Sequence, residues 1–155
     1  METQSLKKNE ALSSITEAIT QLTKLMSSVD EDKINTIPYE GSWSALQLLM
    51  HVAKSIDAMS NALQIDGKPT ERDPGERIEE LKKVFLNFSN KLQSPEFIIP
   101  EAGIYERQPT IDKLNDAFAL LRENVETANL NQLVEGLPFG PVTKLEIIYF
   151  TLFHT

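Results

Sequence analysis

Two side chains in this sequence are suited to proton or metal chemistry at neutral pH: His51 and His154, the only histidines it has. A neutral imidazole is a common ligand of zinc and nickel, and its pKa lies near neutrality. His51 belongs to the line Ser44, Leu48, His51, Ser55, Ala58, which runs along the flank of an apolar helix face. The small Ser55 and Ala58 leave room beside its ring. His154 continues the line Ile147, Phe150, His154. Both lines can point inward near one end of a helical assembly, where an ion or a small molecule would sit between helices. From spacing alone the plainer reading is stronger: a lone helical histidine is usually a surface or hydrogen-bonded core residue. A catalytic zinc site also takes three protein ligands and an open position, and two imidazoles are one too few. The sequence has no cysteine to supply the third and no H-E-x-x-H motif.

The remaining polar candidates have structural roles available. Thr143 followed by Glu146 is a capping box, which makes Glu146 a helix-start carboxylate before it is a general base. Trp43 precedes a helix and is expected to pack as a staple at the bundle end. Tyr39, Tyr105 and Tyr149 have ordinary packing roles. Asp57 and Asp66 can ligate metals, but Asp66 reads as a turn residue before Gly67.

Those side chains need elements to hold them, and the periodicity supplies helices. Leu12, Ile15, Ile19, Leu22, Met26 and Val29 step by three and four, as do Ile78, Leu81, Phe85, Phe88 and Leu92, and Ile111, Leu114, Phe118, Leu121 and Val125. Such stripes are the seams of antiparallel helices packed at shallow angles. Ser44 to Leu63 carries a wider apolar face and opens on a capping box, Ser44 to Gln47. A further helix starts at Thr143. It has no stop signal before Thr155, so the last helix is expected to lack its C-terminal end. Pro38 and Gly41, Asp66 to Pro69, Asp73-Pro74, and Gly136 to Pro141 mark the breaks. Ser94 to Pro109 holds Pro95, Pro100, Gly103 and Pro109 and is expected to be irregular, with Phe97-Ile98-Ile99 packing on the bundle. No alternation typical of strands is seen. The expectation is an all-α four-helix bundle with an additional helix and that Pro-rich segment between the second and third bundle helices.

The 155 residues read as a single domain, 1–155, with 41% apolar and 25% charged residues. The absence of cysteine excludes disulfides, zinc–thiolate sites and a protein-borne thiol nucleophile. A net charge of −8 argues against a nucleic-acid partner, since Lys7-Lys8 and Lys82-Lys83 are pairs among acids, not patches. No stretch has the length and apolarity of a membrane span, and the first residues lack a secretory signal, so a cytoplasmic location is expected.

The run Gly41-Ser42-Trp43-Ser44-Ala45-Leu46-Gln47-Leu48-Leu49-Met50-His51-Val52 resembles a signature of the DinB/YfiT-like family, in which Ser-Trp-Ser, Gln-Leu-Leu and a histidine open the second helix. Gly140 to Glu146, continuing through His154, resembles the family's other signature, a capped last helix with a His-x-x-x-His pair. The resemblance implies a bundle holding a divalent metal, zinc or nickel, with His51 as first ligand and His154 as second. The third ligand would fall four residues beyond His154, past the last residue of the sequence. It also implies a metal-dependent hydrolase or a small-thiol transferase acting on a small molecule, any thiol arriving with the substrate. The alternative is a non-enzymatic bundle used for ligand binding or dimerisation, a homodimer covering the apolar stripe left by a short last helix. A DNA-damage role is set aside because of the acidic charge.

Overall fold

Two capping boxes set the register of the helices that carry the histidines. In the computed structural model, which describes residues 2–155, Ser44 Oγ accepts from Gln47 N at 3.2 Å while Ser44 N donates to Gln47 Oε1 at 2.9 Å. Thr143 and Glu146 repeat the arrangement, at 3.2 and 2.9 Å. Each box satisfies two N–H groups that a helix start leaves open. The helices are α1 (Glu2–Ser28), α2 (Ala45–Gln64), α3 (Ile78–Phe85), α4 (Arg107–Thr127) and α5 (Lys144–His154). The four-helix bundle consists of α1, α2, α4 and α5, with α2 packed along α4, α1 against α5 and α4, and the additional α3 against α5. Ile15 and Ile19 of α1, Leu49 and Ile56 of α2, Leu114 and Leu121 of α4, and Ile147 and Ile148 of α5 meet in its core. Full burial of a side chain of this size contributes about 1.5–3 kcal/mol relative to exposure. No helix among the described residues is long and apolar enough to cross a membrane.

Two features depart from the sequence pattern. The stripe Ile78–Leu92 is helical only as far as Phe85. Leu81 is buried, whereas Phe88 is 90% exposed and Leu92 also faces outward. Asn87 accounts for the stop: its side chain accepts from Ser89 N at 3.1 Å, and its carbonyl accepts from Asn90 N at 3.0 Å. Local bonds of this kind compete with helix continuation. The second departure is a small antiparallel sheet of β1 (Lys68–Pro69), β2 (Gln132–Val134) and β3 (Val142–Thr143), in that order. Lys68 pairs with Leu133, and Leu133 with Thr143. Strands of two or three residues are too short to show alternation. Gly67 admits the close approach, because a Cβ there would lie 2.8 Å from both Gln132 Cβ and the Leu133 carbonyl oxygen.

The Pro-rich connection is irregular, as its composition predicts, apart from a single 3-10 turn at Glu96–Ile98. It packs through Ile98, which is buried, while Phe97 and Ile99 are exposed. Its far end differs slightly from expectation: α4 already begins at Arg107, so Pro109 lies in the first turn, where a missing N–H costs no hydrogen bond.

Candidate functional site

The bundle brings the two histidines face to face. His51 of α2 and His154 of α5 lie 103 residues apart in sequence, and their Nε2 atoms are 3.2 Å apart. The ring centroids are 5.0 Å apart. Trp43, just ahead of the Ser44 cap, sets its ring 4.9 Å from that of His51, so its packing role extends to the imidazole itself. Phe150, one turn before His154, lies 5.5 Å from that ring.

The Pro-rich connection fixes the proton on His51. Nδ1 is 2.9 Å from the carbonyl oxygen of Ile98. A carbonyl can only accept, so Nδ1 carries the hydrogen and Nε2 of the neutral ring presents a bare lone pair towards His154. Burial lowers the pKa of His51, with the Ile98 hydrogen bond opposing it. Burial also lowers that of His154, and proximity to His51 adds to the effect, bringing it to about 4. Both rings are therefore neutral at pH 7, the state in which imidazole binds a metal. In the metal-free pair, His154 Nε2–H donates to His51 Nε2.

The separation of the two nitrogens suits a shared ion. Two nitrogens at about 2.0–2.1 Å from a tetrahedral zinc lie roughly 3.3 Å from each other, close to the 3.2 Å found here. The donor pair thus fits one edge of a tetrahedral divalent site, with an outer carbonyl orienting His51 in the way common to metal-binding histidines. Among the described residues, no third His, Cys, Asp or Glu joins them.

A cavity of about 490 Å3 opens beside the pair and is lined by both histidines. One wall is aromatic: Phe139 stacks on Phe150 at 4.3 Å, and Phe85 meets Phe150 edge-on at 4.8 Å. Ser55 and Ala58, the small residues following His51 on its helix face, line the cavity as their spacing suggests. Residues 92–95, Phe97 and Ile98 also line it. The contributions of Phe85 and Phe139 were not legible in the sequence, since one sits on an additional helix and the other in a turn. Tertiary packing alone puts them beside Phe150.

The other candidates lie elsewhere. Glu146 is fully buried and fully engaged. Arg72 donates to both its oxygens at 2.7 Å, Arg77 N donates at 2.8 Å, and Thr143 N completes the set. It pins the segment before α3 to the start of α5, and Arg72 is the partner that the capping motif did not disclose. Burial acts to raise its pKa, but the Arg72 hydrogen bonds, the two backbone N–H donors and the Arg72 charge prevail and hold it below the ordinary value. Asp57 is influenced by Lys113 and Asp116 on α4, and Asp66 acts on Lys144. Neither lines the cavity. Tyr149 donates to the Lys7 carbonyl at 3.1 Å and Tyr105 to that of Glu101 at 2.7 Å, while Tyr39 is exposed.

Comparison with known proteins agrees with this architecture. The sequence profile of the DinB superfamily matches residues 14–155. Among solved structures, the chain is similar to TT2238, a four-helix bundle protein, with a TM-score of 0.59 and 19% identity over 95% of this chain and 90% of that one. At that identity the likeness concerns the fold. No curated protein matches the chain.

Proposed function

The chain belongs to the DinB superfamily, and from that premise we propose that His51 and His154 are two ligands of a divalent-metal centre, zinc or nickel, at which a small molecule is hydrolysed or transferred. The observation that carries the reading is the 3.2 Å approach of two Nε2 atoms, on rings that burial keeps neutral. A divalent ion bound by neutral imidazoles keeps its full charge and can lower the pKa of a bound water or substrate thiol. The residues of the chain would do the rest. Ile98 holds the His51 proton on Nδ1 and leaves Nε2 free. The phenylalanine wall would exclude bulk water and seat the apolar part of a substrate. Dialysis against zinc or nickel followed by elemental analysis tests the reading. One ion retained per chain is expected, and a protein that retains neither metal contradicts it.

A second reading is favoured by the mainly apolar lining of the cavity. In it the same bundle binds a small molecule, or a second copy of itself, without catalysis. Sedimentation separates its branches: a monomer with no affinity for apolar ligands would contradict both.

A further inference from the structure

The cavity beside the imidazole pair has no charged side chain in its lining. Apart from the histidines, the polar groups around it come from Ser55, Gln93 and Ser94. Ser55 stands out because it is only 5% exposed, and its Oγ has no hydrogen-bond partner among the described residues. A buried hydroxyl without a partner forfeits the hydrogen bond that water would otherwise supply, a penalty that a suitably placed ligand group can relieve. It sits four residues after His51, one helical turn along the same face. The aromatic wall of Phe85, Phe139 and Phe150 lines the same space.

We propose that this cavity takes an uncharged, predominantly aromatic or aliphatic molecule carrying one hydroxyl-type group, which hydrogen-bonds to Ser55 while the apolar body rests on the phenylalanine wall. The inference deepens the proposed function and takes from it that this cavity is the binding site, but it does not need the metal. Charge is what the cavity rejects. A carboxylate or ammonium entering it would lose its hydration and meet no opposite charge, whereas a phenol or alcohol gives up far less. A volume of about 490 Å3 is also in the range of pockets that hold drug-sized ligands.

Matched probes test this on the metal-free protein at neutral pH: 4-phenylphenol, biphenyl-4-carboxylate, 4-phenylbenzylammonium and 4-methylbiphenyl, followed by fluorescence titration. The expected result is binding of 4-phenylphenol, with both charged analogues weaker by at least about tenfold. Ser55→Ala should weaken 4-phenylphenol by about threefold to tenfold and leave 4-methylbiphenyl unchanged, which also shows that the variant is folded. Equal binding of the carboxylate, failure of every biphenyl to bind, or a Ser55→Ala effect that is nil or the same for both neutral probes overturns the proposal. A protein that takes 4-phenylphenol but no zinc or nickel defeats the metal reading alone. One that binds the metal but rejects the phenol defeats this inference alone.

Discussion

The imidazole of His51 donates its Nδ1–H to the carbonyl of Ile98 at 2.9 Å, across 47 residues of sequence. A loop therefore decides which nitrogen of a helical histidine carries the proton. The bundle sets the distance between the two rings, while the Pro-rich connection sets the chemical identity of the atom presented. Nitrogen NMR of the metal-free protein should find neutral His51 protonated at Nδ1, with Nε2 bare. A His51 signal typical of the Nε2–H form would contradict the tautomer and the orientation derived from it.

Arg72 and Glu146 form a two-pronged ion pair between the segment before α3 and the start of α5, with the carboxylate fully buried and the guanidinium partly exposed. Removing one member of such a pair leaves an uncompensated charge in the interior. Arg72→Met is expected to destabilise the fold by about 3–5 kcal/mol, measured by urea denaturation. Loss of less than about 1 kcal/mol, the range of exposed ion pairs, would mean that Glu146 finds other compensation.

Acid should weaken the same contact. The folded pKa of Glu146 lies below its ordinary 4.5, so the unfolded chain binds this proton more tightly than the folded one. The stability it contributes is complete above about pH 4.5 and is lost as the pH falls through the folded value. Denaturation midpoints of the wild type should fall across that acid window, and those of Glu146→Gln should fall less. Parallel pH profiles for the two proteins would contradict the assignment.

The end of α3 gives a contrast between neighbouring apolar residues. Leu81 is 2% exposed and Phe88 90%. Leu81→Ala is expected to cost about 2–5 kcal/mol, whereas Phe88→Ser should change stability by no more than about 0.5 kcal/mol. A large loss at Phe88 would mean that the helix continues and buries that ring.

That contrast also marks where the sequence stops being readable. Helical stepping through Leu92 is a property of residue types, but Asn87 offers its own turn bonds, and those interrupt the stripe after Phe85. The capped starts of α2 and α5 were legible because a capping box is local, complete within four residues. The approach of His51 to His154 was anticipated by the resemblance of their two motifs to the family signatures, because spacing alone favours a surface or core role for each ring. The Ile98 carbonyl, Arg72 and the Phe139 wall were not, because backbone acceptors carry no residue signature and long-range partners have no spacing to read. The three short strands carry no readable pattern because so few residues cannot display a period.

The measurement that bears most directly on the account is a calorimetric titration with zinc and with nickel of four proteins: wild type, His51→Ala, His154→Ala and the double variant. If the two imidazoles act on one ion, each single substitution lowers affinity by at least about tenfold, and the double is little worse than either single, because the second loss removes half of a pair already broken. Wild-type protein that binds neither metal, or single variants that bind as tightly as wild type, would contradict it.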